Sequence, residues 1–189
     1  MRAARVFLGI AIALALQTTL ARFFTGPAIV DLVLVVVIYA ALMGGPGAGL
    51  MAGAVGGLAQ DALSSTGVSL VAAGFGVATA KSIIGIGGLA KTVVGFVAGV
   101  VGTQFIVARP FTRFVVFFLA TIAHGIMFLG LYAILDPRDG SPAYGGVVSQ
   151  AAGNAVVGVV ILQMVEVFPG FLDRRRSTRG RMRINRRLD

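Results

Sequence analysis

The stretch GPGAGLMAGAVGGLAQD, residues 45–61, has glycine at positions 45, 49, 53 and 57 and ends in Asp61. In a soluble helix, each interior glycine costs about 0.5–1 kcal/mol relative to alanine. Residues four apart lie on nearly the same side of a helix, so these glycines form one smooth face. In a bilayer, such a face lets two helix backbones approach closely. We therefore predict a helix here whose glycine face is a contact surface.

The composition of the whole chain indicates a membrane protein. Of its 189 residues, 57% are hydrophobic and 12% are charged, and the mean hydropathy is +0.94. An ordinary soluble domain has roughly 25% charged residues. A helix needs about 20 mostly apolar residues to cross the hydrocarbon core. The sequence thus predicts an all-α transmembrane bundle with six spans, at about 5–22, 27–43, 47–63, 90–108, 113–135 and 145–168.

Two parts of this topology have alternatives. The first span follows Arg2 and Arg5 and in this respect resembles a signal peptide. It is longer than the usual apolar region and lacks a small-residue cleavage site, so we expect a retained helix. Residues 64–89 are a short hydrophobic segment of uncertain depth. If 67–84 crosses, the chain has seven spans. The distribution of Lys and Arg does not decide between six and seven spans, and the glycines and serines of this segment favour six.

The end of the chain is strongly basic. Residues 173–189 carry eight arginines and two aspartates, and the positive-inside rule assigns such a tail to the cytoplasm. Six spans then place both termini in the cytoplasm. We predict a single transmembrane domain over 1–172 and a tail that is disordered when free. We expect the tail to contact anionic lipid headgroups rather than nucleic acid.

A second small-residue face follows in KTVVGFVAGVVGTQ, where Lys91, Gly95 and Gly99 are four residues apart. If this span and 47–63 are antiparallel neighbours, Asp61 and Lys91 lie toward the same membrane face. An Asp61–Lys91 contact is therefore our hypothesis.

The last span carries a polar face with Gln150, Asn154 and Glu166 in register. It has two interpretations: a polar cavity, or hydrogen bonds that hold the helices together. Asp31 has two as well, since a carboxylate in a first helical turn complements the helix dipole or contacts a partner. We expect His124, the only histidine, to make an internal hydrogen bond.

Catalytic chemistry finds little support in the sequence. Cysteine is absent, a single histidine makes a poor metal site, and the chain has no GxxxxGK[ST] phosphate loop. We find no triad or paired-carboxylate site, so we expect no enzyme activity, cofactor or metal.

Several segments resemble the MreD family of bacterial rod shape-determining proteins. They are ALQTTL (15–20), VDLVLVVVIYAAL (30–42), GLAQDALS (57–64), GIGGLAKTVVGFVAG (85–99) and RPFTRFVVFFLATIAHG (109–125). The most specific element is GLxxDxLS, followed downstream by the Gly95-Phe96 pair. The chain departs from the family pattern in TGVSLVAAGFGVATAKSII, which separates the aspartate from the next glycine-rich span.

The resemblance implies a non-catalytic protein of the bacterial inner membrane. Members of the family work in the cell-elongation complex with the bitopic shape protein MreC and, through it, with MreB and peptidoglycan synthases. The six-helix shape of the family is similar to the substrate-binding S component of energy-coupling factor transporters, which dock their partner through AxxxA steps such as Ala11 and Ala15. A small-solute-binding subunit is therefore the alternative.

Taken together, these patterns predict a scaffold that binds through small-residue faces. The residues expected to form a partner or helix-packing interface are Gly49, Gly53, Gly57, Gly95 and Gly99, with Asp31, Asp61 and Lys91 as polar contacts. The glycine faces serve either internal packing or a partner helix, since such faces do both.

Overall fold

The computed structural model describes residues 2–23, 30–64, 85–105, 109–135 and 144–185. Six α-helices account for nearly all of these residues, and the fold is an all-α helical bundle, as predicted. In chain order they are α1 (Arg2–Phe23), α2 (Leu32–Gly44), α3 (Pro46–Ser64), α4 (Ile86–Gln104), α5 (Pro110–Leu135) and α6 (Tyr144–Asn185).

The chain is a membrane protein by the length and composition of its helices. Within the described part of the chain, three segments are long and apolar enough to cross a bilayer: α4, α5 and residues 146–166 of α6. Two shorter apolar helical segments, 4–19 and 32–44, belong to α1 and α2. The count of six spans stays a prediction, and most of 64–89 lies outside the described residues.

The centre of the bundle is α2. Its sequence LVLVVVIYAALMG is apolar on every side, which is typical of a helix surrounded by others. Val33, Leu34, Val35, Val37, Ile38 and Ala41 on α2 are all 0% exposed. One face of α2 packs on α1 and α3 around Ile10 and Ala52, and the other packs on α4, α5 and α6 around Phe117 and Leu162. Each of the other five described helices therefore contacts α2.

Two predicted helix starts are corrected. The second span was expected from 27, but Asp31 is extended (φ −98°, ψ 92°) and α2 begins at Leu32, because the Asp31 side chain accepts a hydrogen bond from the Leu34 N–H and caps the helix. The fourth span was expected from 90 but begins at Ile86, after Gly85 in the left-handed region (φ 106°). Residues 27–29 and 106–108 lie outside the described residues.

The expected state of the tail is also corrected. We expected a disordered tail, whereas α6 continues without a break to Asn185; the end of the last span at 168 stays a prediction. Arginine has a helix propensity close to that of leucine, which favours helix through this basic segment. Residues 186–189 lie outside the described part, and the division into 1–172 and 173–189 stays a prediction.

Candidate functional site

The glycine face of α3 lies directly against α4. A Cβ added to Gly49 would overlap the Gly95 carbonyl, and one added to Gly53 would overlap the Lys91 carbonyl. At Gly57 the added atom would lie 2.5 Å from the Gly88 Cα. Positions rise along α3 as they fall along α4, so the helices are antiparallel. This interface, here called the glycine seam, holds the two backbones closer than any side chain permits.

The sequence allowed two roles for the small-residue faces, internal packing or contact with a partner helix, and the glycine seam distinguishes them. Gly49, Gly53 and Gly57 are buried within the chain itself, and Gly95 and Gly99 form the opposing side, where a Cβ on Gly99 would lie 2.5 Å from the Pro46 Cα. A partner helix cannot reach these residues without displacing α4. The interpretation as a partner surface is therefore wrong for the ladder, and the internal-packing one is correct.

Asp61 ends the seam by capping the neighbouring helix. One of its carboxylate oxygens, Oδ2, accepts the Gly85 N–H at 2.9 Å and the Gly88 N–H at 3.0 Å. Gly85 has no side chain of its own to satisfy these donors, which are left without intrahelical partners at the start of any helix. A carboxylate at this end also complements the helix dipole. Asp61 thus fixes the start of α4 from α3.

The hypothesis of an Asp61–Lys91 contact is wrong. Lys91 reaches past the seam into the bundle, where its Nζ lies 2.9 Å from the Asp31 Oδ2. Both side chains are at most 1% exposed. Asp61 is occupied by the backbone of α4, so the carboxylate available to Lys91 is the one at the start of α2. Asp31 accordingly has both a capping role and a charged partner within the chain.

His124 and Asn154 complete this buried polar cluster. The Lys91 Nζ is 3.4 Å from the His124 Nε2, and the Asn154 Oδ1 accepts the Asp31 backbone N–H at 2.8 Å. The Asn154 Nδ2 donates to the Thr121 Oγ1 at 3.3 Å. Because the Lys91 ammonium can only donate, the His124 Nε2 is the acceptor of this contact and the ring is neutral. The predicted internal hydrogen bond of His124 is confirmed.

The cluster joins four helices through one ion pair. Asp31 belongs to the start of α2, Lys91 to α4, His124 to α5 and Asn154 to α6, and all four residues are 0% exposed. A buried ion pair is costly to break, because the remaining charge has no solvent. Hydrogen bonds to the other atoms of the pair lower that cost. The arrangement is chemically suited to fixing helix positions.

The predicted polar face of the last span divides into separate environments. Gln150 and Asn154 are buried, with 1% and 0% of their surface exposed. The Glu166 side chain is 50% exposed and lies beside Arg113. It accepts from both Arg113 nitrogens, at 2.9 Å and 2.6 Å, in a bidentate ion pair. A shared cavity of these three residues is therefore wrong. Asn154 makes the interhelical hydrogen bonds of the alternative interpretation.

Sequence reasoning missed two buried polar residues. It gave no structural contact to Arg113, which joins the start of α5 to α6, or to Gln60, which is 2% exposed with neither side-chain polar atom hydrogen-bonded. Arg113 and Glu166 lie on different predicted spans, and no spacing rule pairs them. The signal for Gln60 was available, since it stands between Gly57 and Asp61 within a span.

A metal site requires several ligand side chains grouped in space. Within residues 2–23, 30–64, 85–105, 109–135 and 144–185, no three His, Asp or Glu side chains are grouped as a metal site requires.

Comparison of the chain with known protein families, with curated proteins and with solved structures finds no match.

Proposed function

We propose that this protein is a non-catalytic scaffold of the bacterial cell-elongation complex, similar to MreD. It lies in the inner membrane as a multi-pass protein with both termini in the cytoplasm. It binds a bitopic shape protein like MreC and, through it, helps to organise peptidoglycan synthases and MreB. No substrate is transformed in this proposal, and no cofactor or metal is needed.

The observation that carries the proposal is that two residues of GLxxDxLS, Gly57 and Asp61, both join α3 to the start of α4. Gly57 lies on Gly88 in the glycine seam, and Asp61 holds the Gly85 and Gly88 N–H groups. The most specific element of the resemblance therefore builds one structural joint rather than a reactive site. The Asp31–Lys91 pair builds a second. A protein whose polar groups fix helix positions is suited to presenting a rigid surface to partners.

The alternative, a small-solute-binding subunit of a transporter, is favoured by one specific observation. Ala11 and Ala15 are both exposed on α1, so the AxxxA step faces away from the bundle. A small-residue face that is free on the outside can dock a partner helix. In this alternative, that partner is the membrane coupling subunit.

Affinity purification separates the two functions. The tagged protein is purified from native bacterial membranes in mild detergent, and mass spectrometry identifies associated proteins and small molecules. We expect near-stoichiometric recovery of a bitopic shape protein with peptidoglycan synthases. Recovery of a coupling subunit with ATPases, or of a bound vitamin, contradicts the scaffold proposal.

A matched pair of variants locates the docking face. Ala15→Trp blocks the exposed face of α1, while Gly130→Trp places the same side chain at an exposed position on α5 where an added Cβ meets nothing within 4 Å. If α1 docks the coupling subunit, only Ala15→Trp abolishes its recovery. Equal recovery with both variants means that α1 does not carry the partner.

A further inference from the structure

A groove of about 640 Å³ lies where the first half of α1 passes the corner between α2 and α3. Small residues of that corner make it concave, among them Ala40, Gly44 and Gly47. Tyr39 and Met51 contribute the larger side chains. Ligand sites in proteins have volumes of about 300–1,000 Å³ and mostly apolar linings, so this groove has the dimensions of one.

The groove exists because α1 and α3 separate toward one end. Near the middle of α3 the two helices are close: a Cβ added to Gly56 would lie 3.6 Å from the Ile10 Cγ2 on α1. At Gly47, near the start of α3, an added Cβ would meet nothing within 4 Å. Apolar surface that faces lipid in this way is open to a lipid chain.

Among the described residues that line the groove, Arg5 is the only charged one. It is exposed, and within the described part of the chain no carboxylate lies at ion-pair distance from it. A guanidinium binds phosphate oxygens through two parallel hydrogen bonds. One cation beside an apolar channel is complementary to a molecule that has a phosphate at one end and a hydrocarbon chain at the other.

The groove lies at the basic end of the bundle. Gly45, next to the groove, is near Thr103 at the end of α4, since a Cβ on Gly45 would lie 3.7 Å from the Thr103 Cγ2. The same end carries Arg109, which directly precedes α5, and Arg113, whose charge is paired with Glu166. Anionic phospholipids give the cytoplasmic leaflet a negative surface, and basic residues near that surface bind it.

We propose that this groove binds one anionic phospholipid, with its phosphate on Arg5 and an acyl chain along Tyr39, Gly47 and Met51. The site differs from the diffuse attraction of the basic tail, because it requires one defined residue and one defined channel. It does not depend on which protein the chain assembles with. It depends only on the chain lying in a membrane.

The test is a lipid titration followed by native mass spectrometry. The full-length protein is delipidated in mild detergent and titrated with dioleoyl phosphatidylglycerol or with dioleoyl phosphatidylcholine, which has the same chains and no net charge. Arg5→Gln is compared with Arg109→Gln, an exposed arginine outside the groove lining. Gly47→Leu, which fills the groove, is compared with Gly130→Leu, where an added Cβ also meets nothing within 4 Å.

The expected results are specific to the groove. Arg5→Gln weakens phosphatidylglycerol binding about fivefold, as a contact of about 1 kcal/mol implies, and weakens phosphatidylcholine binding less, because the choline cation offsets the charge of the phosphate. Arg109→Gln weakens phosphatidylglycerol binding less than Arg5→Gln does, because Arg109 lies outside the groove lining. Gly130→Leu changes the binding of neither lipid, whereas Gly47→Leu weakens the binding of both. Inorganic phosphate does not displace the lipid, because it cannot occupy the apolar channel.

Three outcomes overturn the proposal. Equal losses in Arg5→Gln and Arg109→Gln mean diffuse electrostatic attraction. Full lipid binding by folded Gly47→Leu means that the lipid lies elsewhere. Displacement by inorganic phosphate means a simple anion site. If Gly47→Leu gives no folded protein, Met51→Trp repeats the filling test at an exposed groove position.

Discussion

The two faces of α4 contact their neighbours in opposite ways. Toward α3, glycines bring the backbones together, and Gly53 lies against the Lys91 carbonyl. Toward α5, the helices meet near Ala90 and Phe128 but separate along their length, leaving an apolar groove of about 320 Å³ beside Val97 and Ala123. Lipid fills gaps between apolar side chains at little cost, so nothing drives such faces together. Small residues and polar contacts decide which helix pairs are tight.

Gly53→Leu tests the tight face with the largest expected effect. The new side chain would enter the Lys91 backbone, which cannot move aside, so we expect loss of folded protein. The measurement is the yield of monodisperse protein by size-exclusion chromatography in detergent. Gly130→Leu is the control and should give wild-type yield. A normal yield of Gly53→Leu would mean that the glycine seam is not formed.

Lys91→Met breaks the polar contact between α4 and its other neighbours. It leaves the Asp31 carboxylate buried without its charged partner, so we expect a loss of about 3–5 kcal/mol in the free energy of unfolding. Chemical unfolding followed by circular dichroism measures this loss. Adding Asp31→Asn should recover part of it, because an amide needs no counter-charge. A coupling energy below about 0.5 kcal/mol would count against the ion pair.

Asp61→Ala tests the end of the glycine seam. It removes the acceptor for the Gly85 and Gly88 N–H groups, and the loss of a capping side chain costs about 0.5–2 kcal/mol. Chemical unfolding should show this smaller loss. Combined with Lys91→Met, the two effects should add within about 0.5 kcal/mol, since Asp61 and Lys91 have different partners. Strong coupling would instead restore the Asp61–Lys91 hypothesis.

Ala123→Leu tests the loosely packed side of α4, which faces α5. Ala123 is exposed and lines the groove between α4 and α5, so leucine there has room. We expect the free energy of unfolding to change by no more than about 0.5 kcal/mol. The same unfolding experiment measures it. A loss comparable to that of Lys91→Met would show that α4 and α5 are packed as tightly as α3 and α4.

The sequence predicted the tight face well and the polar contacts poorly. Spacing of four residues identified both sides of the glycine seam, because helix geometry fixes which residues share a face. It did not identify the partner of Lys91. With α4 expected to begin at 90, the Gly85 and Gly88 N–H groups were not recognised as helix-start donors, so Asp61 seemed to need a charged partner. The choice of Asp31 depends on how helices are arranged in three dimensions, which spacing along one helix does not encode.

The cap made by Asp61 has a consequence for how the chain can vary. It holds the Gly85 N–H 2.9 Å from a carboxylate near the end of α3, so both ends of the connection between α3 and α4 are anchored at the same place. The entropy of closing a loop grows slowly, by only about 0.6 kcal/mol for each doubling of its length. A change in the length of this connection can therefore occur during evolution while the packing of α3 on α4 is preserved.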